Sequence, residues 1–198
     1  RIANKDDVKY ADELVLWYEE SARQRKTGIA KRNPVYLQRK MVSGNAIIAF
    51  DDDGSLAGFS YIETYEEEKF VVNSGLIVRT DLRTSGIGKE IKKAIFALSR
   101  TKFPNSKIFS ITTSLAVMRM NTKLGYKPVT YSELTQSEEF WNGCKSCKNY
   151  HILLENERKM CICTGLVYDN LDDEFAKKQK EESLKNDIDI CLLYTSDA

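Results

Sequence analysis

The chain has 198 residues, 42% hydrophobic and 30% charged, with a formal net charge of +1, which is enough apolar material for one well-buried α/β core and too little for two. So small a charge argues against a dedicated nucleic-acid surface, which needs a basic excess to release counterions, and no run of about 18 apolar residues is present to span a bilayer. No secretory leader is visible although the chain opens on Arg1, so the expected compartment is the cytoplasm and an upstream piece is expected to be missing.

From the N-terminus, residues 8–23 place Val8, Ala11, Val15 and Tyr18 on one helical face, with Asp6 and Asp7 at its positive end. Residues 23–33 form a basic loop carrying Arg23, Arg25, Lys26, Lys31 and Arg32, and Pro34 suits the first position of a second short helix reaching about Val42. Ala46–Phe50 and Leu56–Tyr65 read as strands joined by the Asp51-Asp-Asp-Gly54 turn. Glu66-Glu-Glu-Lys69 then turns the chain into a third strand, Phe70–Val78, so an antiparallel meander is predicted. Residues 89–100 repeat apolar side chains at Ile91, Ala94, Ile95 and Leu98 as a helix does, Lys107–Thr112 returns as a parallel strand through that crossover, and residues 115–124 form a helix closed by Gly125. Further on, 126–134 reads as a strand, 137–141 as a helical turn, 149–154 with 160–168 as a hairpin, and 171–186 as a weakly amphipathic helix or a frayed tail.

Between the third strand and the long helix runs Val78-Arg-Thr-Asp-Leu-Arg83-Thr84-Ser85-Gly86-Ile87-Gly88-Lys89. Residues without a side chain let the backbone close on a ligand, and a helix beginning here turns unsatisfied N–H groups and its positive dipole end outward, an arrangement suited to phosphate. Arg83 and Lys89 add full charges. Glycine pairs also close ordinary turns, and this spacing fits neither the Walker loop nor the three-glycine dinucleotide fingerprint.

Arg83, Gly86 and Gly88 resemble the Arg-x-x-Gly-x-Gly signature of the GCN5-related N-acetyltransferases. Ser114-Leu-Ala-Val-Met-Arg-Met-Asn121-Thr-Lys-Leu-Gly-Tyr126 is similar to that family's later helix, which ends in Lys-Leu-Gly-Phe or Tyr, and Arg1-Ile-Ala3 with Asp6-Asp7 is similar to its opening, most of the first strand being absent. The resemblance implies an α/β (α+β) fold, a mixed and mostly antiparallel sheet flanked by helices. It implies an acyl-coenzyme A-binding core over 1–135; beyond Tyr126 the chain departs from a minimal member of the family, and a Cys-rich extension packed on the core over 136–170 and a charged helical tail over 171–189 are expected from the residues themselves. Acetyl-coenzyme A would be the acyl donor, its pyrophosphate on Arg83, Thr84, Ser85, Gly86, Ile87, Gly88 and Lys89, and its carbonyl polarised by the backbone N–H groups of Ile77 and Val78. The short N-acyltransferases of arginine biosynthesis, which acylate the α-amine of glutamate, are the nearest resemblance within the family.

Two positions depart from the family. Where many members carry a carboxylate base on the third strand, this chain has Val71, Val72 and Asn73, and Asn121 stands where a tyrosine commonly protonates the thiolate. Glu63 is the remaining candidate base, acting through water, against the plainer reading of an exposed rim carboxylate. Asn121 can hydrogen-bond the donor but cannot supply a proton, and His151, the sole histidine, is assigned to the hairpin rather than to catalysis. The basic loop borders the acceptor side of the cleft in the family, so Arg25 and Arg32 are expected to hold the carboxylate of a small anionic amine such as glutamate, against the reading of a solvated loop. The expected function is transfer of an acetyl or other short acyl group to a primary amine of a small molecule, with no nucleic-acid or membrane partner and with a homodimer allowed. The alternative is a non-catalytic acyl-coenzyme A-binding or protein-interaction domain.

Cys144-Lys-Ser-Cys147 and, thirteen residues on, Cys161-Ile-Cys163 can supply four thiolates to one tetrahedral zinc, if the second pair lies on a strand that turns both thiols to one side. Buried free thiols and a redox pair are the competing readings, and a cytosolic location weighs against structural disulfides. The last residues, 191–198, resemble the translation of a transposase sequencing adapter and are expected to be an assembly artefact rather than a genuine apolar tail. Without them Asp197 and Cys191 drop out, leaving 30 basic against 28 acidic residues, a charge of +2, and four cysteines.

Overall fold

The computed structural model describes residues 1–25 and 32–171, Arg25 without its side chain. The first helix does not begin as the periodicity predicts. Residues Lys5–Tyr10 form a 3₁₀ turn, and α1 (Ala11–Arg25) follows from it. A capping box explains the start: the Asn4 side chain accepts the Asp6 N–H at 2.8 Å, and the Asp7 carboxylate accepts the Asn4 N–H at 2.8 Å. Asp7 is buried and also paired with Arg1 at 2.7 Å, so it is an anchor rather than a solvated dipole partner. In α2 (Pro34–Val42), Asn33 caps the Val35 N–H, Pro34 opens the first turn, and Leu37 and Met41, one turn apart, face the core.

The three-stranded meander is as expected: β1 (Ala46–Phe50), β2 (Leu56–Tyr65) and β3 (Phe70–Val78) pair antiparallel in order. The crossover helix α3 (Ile87–Lys102) returns the chain to β4 (Lys107–Thr112), which lies parallel to β3. In α4 (Leu115–Lys123), Ser114 caps the Val117 N–H, and Gly125 just beyond takes φ 91°, as a left-handed helix terminator must.

Beyond this point two expectations are corrected. The strand expected over 126–134 is only three residues long, β5 (Lys127–Val129), because Pro128 gives no N–H to a ladder and the Thr130/Glu133 capping box turns the chain into a 3₁₀ turn at Tyr131–Glu133. The hairpin expected over 149–168 does not form. After the short α5 (Glu138–Asn142), Tyr150–Glu155 is helical (α6) with Leu153 buried, and Glu157 and Arg158 turn the chain with positive φ. The last strand, β6 (Thr164–Tyr168), inserts between β4 and β5, antiparallel to both, giving the order β1-β2-β3-β4-β6-β5. Four consecutive buried residues, from Gly165 to Tyr168, suit a strand covered on both faces. Residues 164–168 thus supply a strand of the sheet itself.

Helices α1 and α2 bury Leu14, Tyr18, Leu37 and Met41 with Ile48 and Phe59 of the sheet, whereas α3 sets Ile91 and Ile95 against Ile62, Val71 and Ile108. Phe109, Tyr131, Trp141, Leu153 and Val167 form a third cluster. Arg1–Tyr168 make one compact unit; of a second, Asp169–Ala198, only residues 169–171 are described, so the tail helix and the adapter-like terminus lie outside the described residues. Among the described residues no helix is long and apolar enough to cross a membrane.

Candidate functional site

Strands β3 and β4 pair at only three positions, Phe70, Val71 and Val72 with Lys107, Ile108 and Phe109. Beyond them β3 pairs with β2 alone and β4 with β6 alone, so the sheet divides into a V that opens from Asn73 toward Val78. A bulge shapes the β3 arm: Phe59 lies opposite Ile77 but Tyr61 opposite Ser74, which gives β3 one extra residue. Gly75 sits in it at φ 63°, and a Cβ there would stand 2.3 Å from Tyr61 Cε1 and 2.7 Å from Tyr18 Oη. Two carbonyls of the bulge are taken by hydroxyls: Tyr18 donates to the Gly75 oxygen, and Ser60 to the Ser74 oxygen at 2.9 Å.

The β3 arm leads directly into the glycine loop. Arg79 fixes the loop's beginning by bonding Asp51 Oδ2 at 2.9 Å, Asp81 Oδ1 at 2.9 Å and Ser55 Oγ at 2.5 Å, so the β1–β2 turn and the loop move together. Gly86 then takes φ 96° as N-cap, and α3 starts at Ile87, two residues earlier than its apolar repeat suggests. Among the described residues, the backbone N–H groups of Thr84, Gly86 and Gly88 find no backbone acceptor, while the Ile87 N–H lies 3.4 Å from Ser85 Oγ. Arg83, Thr84, Ser85, Gly86 and Lys89 are exposed, with Arg83 reaching Gln24 Oε1 on α1 at 3.1 Å. Clefts flank the loop on both sides. One of about 380 Å³ runs between Trp17 and Glu20 of α1 and the stretch from Ile77 to Arg83, and one of about 560 Å³ between Ile47, Ile48 and Ala49 of β1 and the stretch from Ser85 to Ile91. The structure therefore brings the expected donor residues to one helix N-terminus with positive charge around it, at the end of the V.

On the β2 side of the V stands a cluster of polar aromatic and charged groups. Glu63 is half-buried and no free rim carboxylate: Tyr36 donates to its Oε1 at 2.6 Å and Ser74 to its Oε2. Burial and then the Glu63 charge hold the Tyr36 hydroxyl well above its ordinary pKa, which keeps it a donor. Arg32 lies over the Tyr18 ring at 4.3 Å and donates Nε–H to Tyr61 at 3.0 Å. Burial, partly offset by Arg32, pushes Tyr61 up to about 12. Lys40 donates to the Ile62 carbonyl at 2.8 Å, and burial lowers its pKa. Arg32 and Glu63 thus belong to one cluster around Tyr61 and Tyr36. The side chain of Arg25, with Lys26 and Lys31, lies outside the described residues.

Asn121 is fully buried, and neither amide atom of its side chain finds a partner. At the floor of the V, Asn73 donates to Ser99 Oγ at 2.6 Å and accepts from Tyr126 at 3.3 Å. Beside them Lys92, on the core face of α3, is buried with its ammonium over the Tyr126 ring at 5.2 Å, and burial pushes its pKa down to about 8. The sequence marks Tyr18 only as part of an apolar helix face and gives Tyr36, Ser74, Gly75, Arg79 and Lys92 no role in the site. A glycine inside a strand pattern was a usable signal for Gly75; Lys92 was detectable as a charge on the apolar face marked by Ile91 and Ile95. His151 is exposed on α6, away from any assigned role.

Cys144, Cys147, Cys161 and Cys163 are free thiols that line one cavity. Burial first, then neighbouring cysteines, pushes Cys144 and Cys163 up to about 11. Cys161 and Cys163 precede β6 rather than lying on a hairpin strand. Among the described residues, no group of three or more His, Cys, Asp or Glu side chains is placed as a metal site.

No protein-family model matches the sequence, and no curated protein is significantly similar to it. Solved structures do share its shape. N-acetylglutamate synthase from Neisseria gonorrhoeae, complexed with coenzyme A and N-acetyl-glutamate, superposes with a TM-score of 0.58 at 18% identity over 85% of this chain and 34% of its own, so the chain spans about a third of that synthase. Rv2747 from Mycobacterium tuberculosis, in complex with coenzyme A, gives 0.57 at 16% identity over 85% and 97%. A GNAT superfamily phosphinothricin acetyltransferase from Sinorhizobium meliloti, with acetyl-coenzyme A, gives 0.56 at 14% identity over 85% and 86%. With the divided sheet and the glycine loop in the same chain, these likenesses establish that the protein has the GCN5-related N-acetyltransferase fold.

Proposed function

We propose that the protein transfers an acetyl or other short acyl group from acyl-coenzyme A to the primary amine of a small anionic acceptor such as glutamate. The observation that carries this reading is the V between β3 and β4 ending at the N-terminus of α3, where the N–H groups of Thr84, Gly86 and Gly88 have no backbone acceptor. Such a place suits a long donor with phosphate at one end and a thioester at the other: the loop holds the pyrophosphate with Arg83 and Lys89, and the chain of the donor enters the V. The backbone N–H of Val78 polarises the thioester carbonyl, since the Arg79 N–H bonds the Ala57 carbonyl of β2 and strand alternation puts the Ile77 N–H on that same side and the Val78 N–H on the open one; the amine attacks the carbonyl, expelling the thiolate. Glu63 takes the amine's proton through water or the Ser74 hydroxyl, and Arg32 draws the acceptor's carboxylate to the same wall. The thiolate leaves with a proton from water, since the Asn121 amide has none to give.

That last point supports a second reading, a domain that binds acyl-coenzyme A without turnover. One experiment separates them: coenzyme A affinity by calorimetry, then acetyl- and succinyl-coenzyme A turnover against a panel of amino acids and polyamines. Turnover with an acidic amino acid supports the proposal, binding without turnover supports the second reading, and no binding overturns both.

A further inference from the structure

We propose that the ammonium of Lys92 is the cation that receives the coenzyme A thiolate when the acyl group leaves it. This rests on the reading that the donor enters the V. Lys92 is 3% exposed, and among the described residues its Nζ makes neither a hydrogen bond nor an ion pair; the Tyr126 ring lies under it at 5.2 Å. A buried ammonium without an acceptor is among the costliest groups a core can hold, and its neighbours Ile91 and Ile95 on α3 show the apolar side chains that packing alone selects. Burial pushes its pKa down to about 8, which leaves it mostly charged at pH 7. Its place in the fold indicates which anion it serves. Lys92 and Ser99 lie two turns apart on one face of α3, and Ser99 Oγ bonds Asn73, the first residue of β3 beyond its pairing with β4. The Tyr126 hydroxyl bonds the same Asn73 at 3.3 Å. Lys92 therefore stands at the floor of the V, roughly 10 Å nearer the glycine loop than its closed end by the rise of a helix. With its pyrophosphate on that loop, a donor running down the V carries its sulfur toward this ammonium.

The other charges around α3 are turned away from this ammonium. Lys89 is exposed, Glu90 and Lys93 pair with each other at 3.0 Å on the outer side of the helix, and Arg119 and Lys123 of α4 are exposed. The strands meet α3 with Ile62, Val71, Leu76 and Val78. Glu63, next to Ile62, points to the opposite face of the sheet, where Tyr36 of α2 holds it. Tyr126, whose hydroxyl burial keeps well above its ordinary pKa, and Tyr168, under Arg100 at 4.9 Å, are the titratable groups packed on this side. Burial is the sole cause of the lowered Lys92 pKa, so no carboxylate of the described residues competes for its charge. In the transfer step the amine nitrogen bonds the acyl carbon, the C–S bond breaks with its electron pair on sulfur, and the amine's proton goes to Glu63. The thiolate then rests against the ammonium until water protonates it. A fixed positive charge where negative charge develops lowers the barrier without using the lysine's own proton.

The test needs no turnover. The full chain is saturated with coenzyme A and the thiol is titrated by the ultraviolet absorbance of its thiolate, with desulfo-coenzyme A as the blank. The bound thiol should ionise about one pH unit or more below the free one, as an opposite charge a few ångströms away requires, and in Lys92→Met it should not. Lys92→Met should unfold at no lower urea concentration than the parent, because it removes a buried charge and nearly keeps the volume, whereas a lysine with a purely structural role would cost stability. Where the chain turns over, kcat with acetyl-coenzyme A should fall about tenfold in this variant with KM little changed, the mark of an interaction made in the transition state. If the variant fails to fold, the titration of the parent decides alone. A bound thiol that ionises like the free one, or that keeps its lowered value in Lys92→Met, overturns this inference and leaves the acyl-transfer reading standing. A loss in Lys92→Met confined to succinyl-coenzyme A also overturns it, since the ammonium would then read an acyl carboxylate. Failure to bind coenzyme A overturns both.

Discussion

The two arms of the V belong to halves of the sheet that are built differently. On one side β1, β2 and β3 follow one another in sequence, each joined to the next by a short turn. On the other, β4 takes its second partner from residues 164–168, and among the described residues β5 has no neighbour but that same late strand. The meander half carries the glycine loop, Glu63 and the bulge; the long-range half carries the cysteine cavity. Only three residue pairs join the halves where β3 meets β4, and the opening lies at that join. The glycine loop therefore stands on the half with local connections, which turns and caps can position with little help from the rest of the chain.

The strongest way to break this comparison is to disturb the bulge. Gly75→Ala places a Cβ 2.3 Å from Tyr61 Cε1 at φ 63°, and should cost about 3 kcal/mol or more, combining left-handed strain with overpacking. Gly54→Ala, at φ 80° with nothing within 4 Å, should cost only about 1 kcal/mol. Urea unfolding of both compares them, and equal losses would show that Tyr18 and Tyr61 do not pack on the bulge. Gly88→Val comes next. Its new Cβ meets only Val78 Cγ2, at 3.4 Å, so the fold should survive while coenzyme A affinity drops by about ten- to a hundredfold through lost charge-assisted bonds to the loop. A folded variant with parental affinity by calorimetry would falsify the donor site.

Smaller effects sharpen the picture. Arg32→Ala should lower kcat/KM for glutamate by about tenfold, as loss of a charged hydrogen bond does, and Arg32→Lys should restore little of it because a lysine cannot grip a carboxylate with two parallel bonds. Equal kcat/KM for glutamate in all three proteins, or a preference for spermidine, removes Arg32 from the acceptor site. Glu66 links the β2–β3 turn to the other half: its carboxylate accepts from Thr135 Oγ1 at 2.5 Å and from the Gln136 N–H at 2.6 Å. The Thr135 hydroxyl, ahead of the other contacts, holds Glu66 below the usual glutamate pKa. A depressed carboxylate contributes stability at pH values above its unfolded pKa and loses it as pH falls through the lower folded value. Glu66→Gln should therefore be less stable than the parent by about 1 kcal/mol at pH 7, with the gap closing in acid. A gap independent of pH would mean that the Glu66 charge plays no part.

How much of this was legible in the sequence follows the same division. Ala46–Phe50, Leu56–Tyr65 and Phe70–Val78 were readable to the residue because apolar, β-branched and aromatic runs end in turns rich in Asp, Glu and Gly. The 3₁₀ start before α1 was hidden because Asn4 and Asp7, not the apolar repeat, set it. Residues 149–168 misled because a hairpin and a helix–turn–strand share the same short apolar runs, and the deciding partners, β4 and β5, lie far away in sequence. In the site, Gly86 and Gly88 announced themselves, whereas Tyr18, Tyr36 and Ser74 matter only because the bulge and α2 bring them to Gly75 and Glu63. No local pattern marks such residues.

The late arrival of β6 has a consequence for biosynthesis. While the ribosome is still making residues 113–163, the meander and α3 can already assemble, but the side of β4 away from β3 has nothing to pair with and β5 has no partner at all. Until Thr164–Tyr168 clear the exit tunnel, the nascent chain presents the apolar edge holding Ile108, Phe109 and Ile111, the kind of surface that recruits a second chain or a chaperone. A stop codon or a protease cut just before Thr164 would therefore do more harm than its distance from the cleft suggests, leaving the glycine loop intact on a sheet that cannot close.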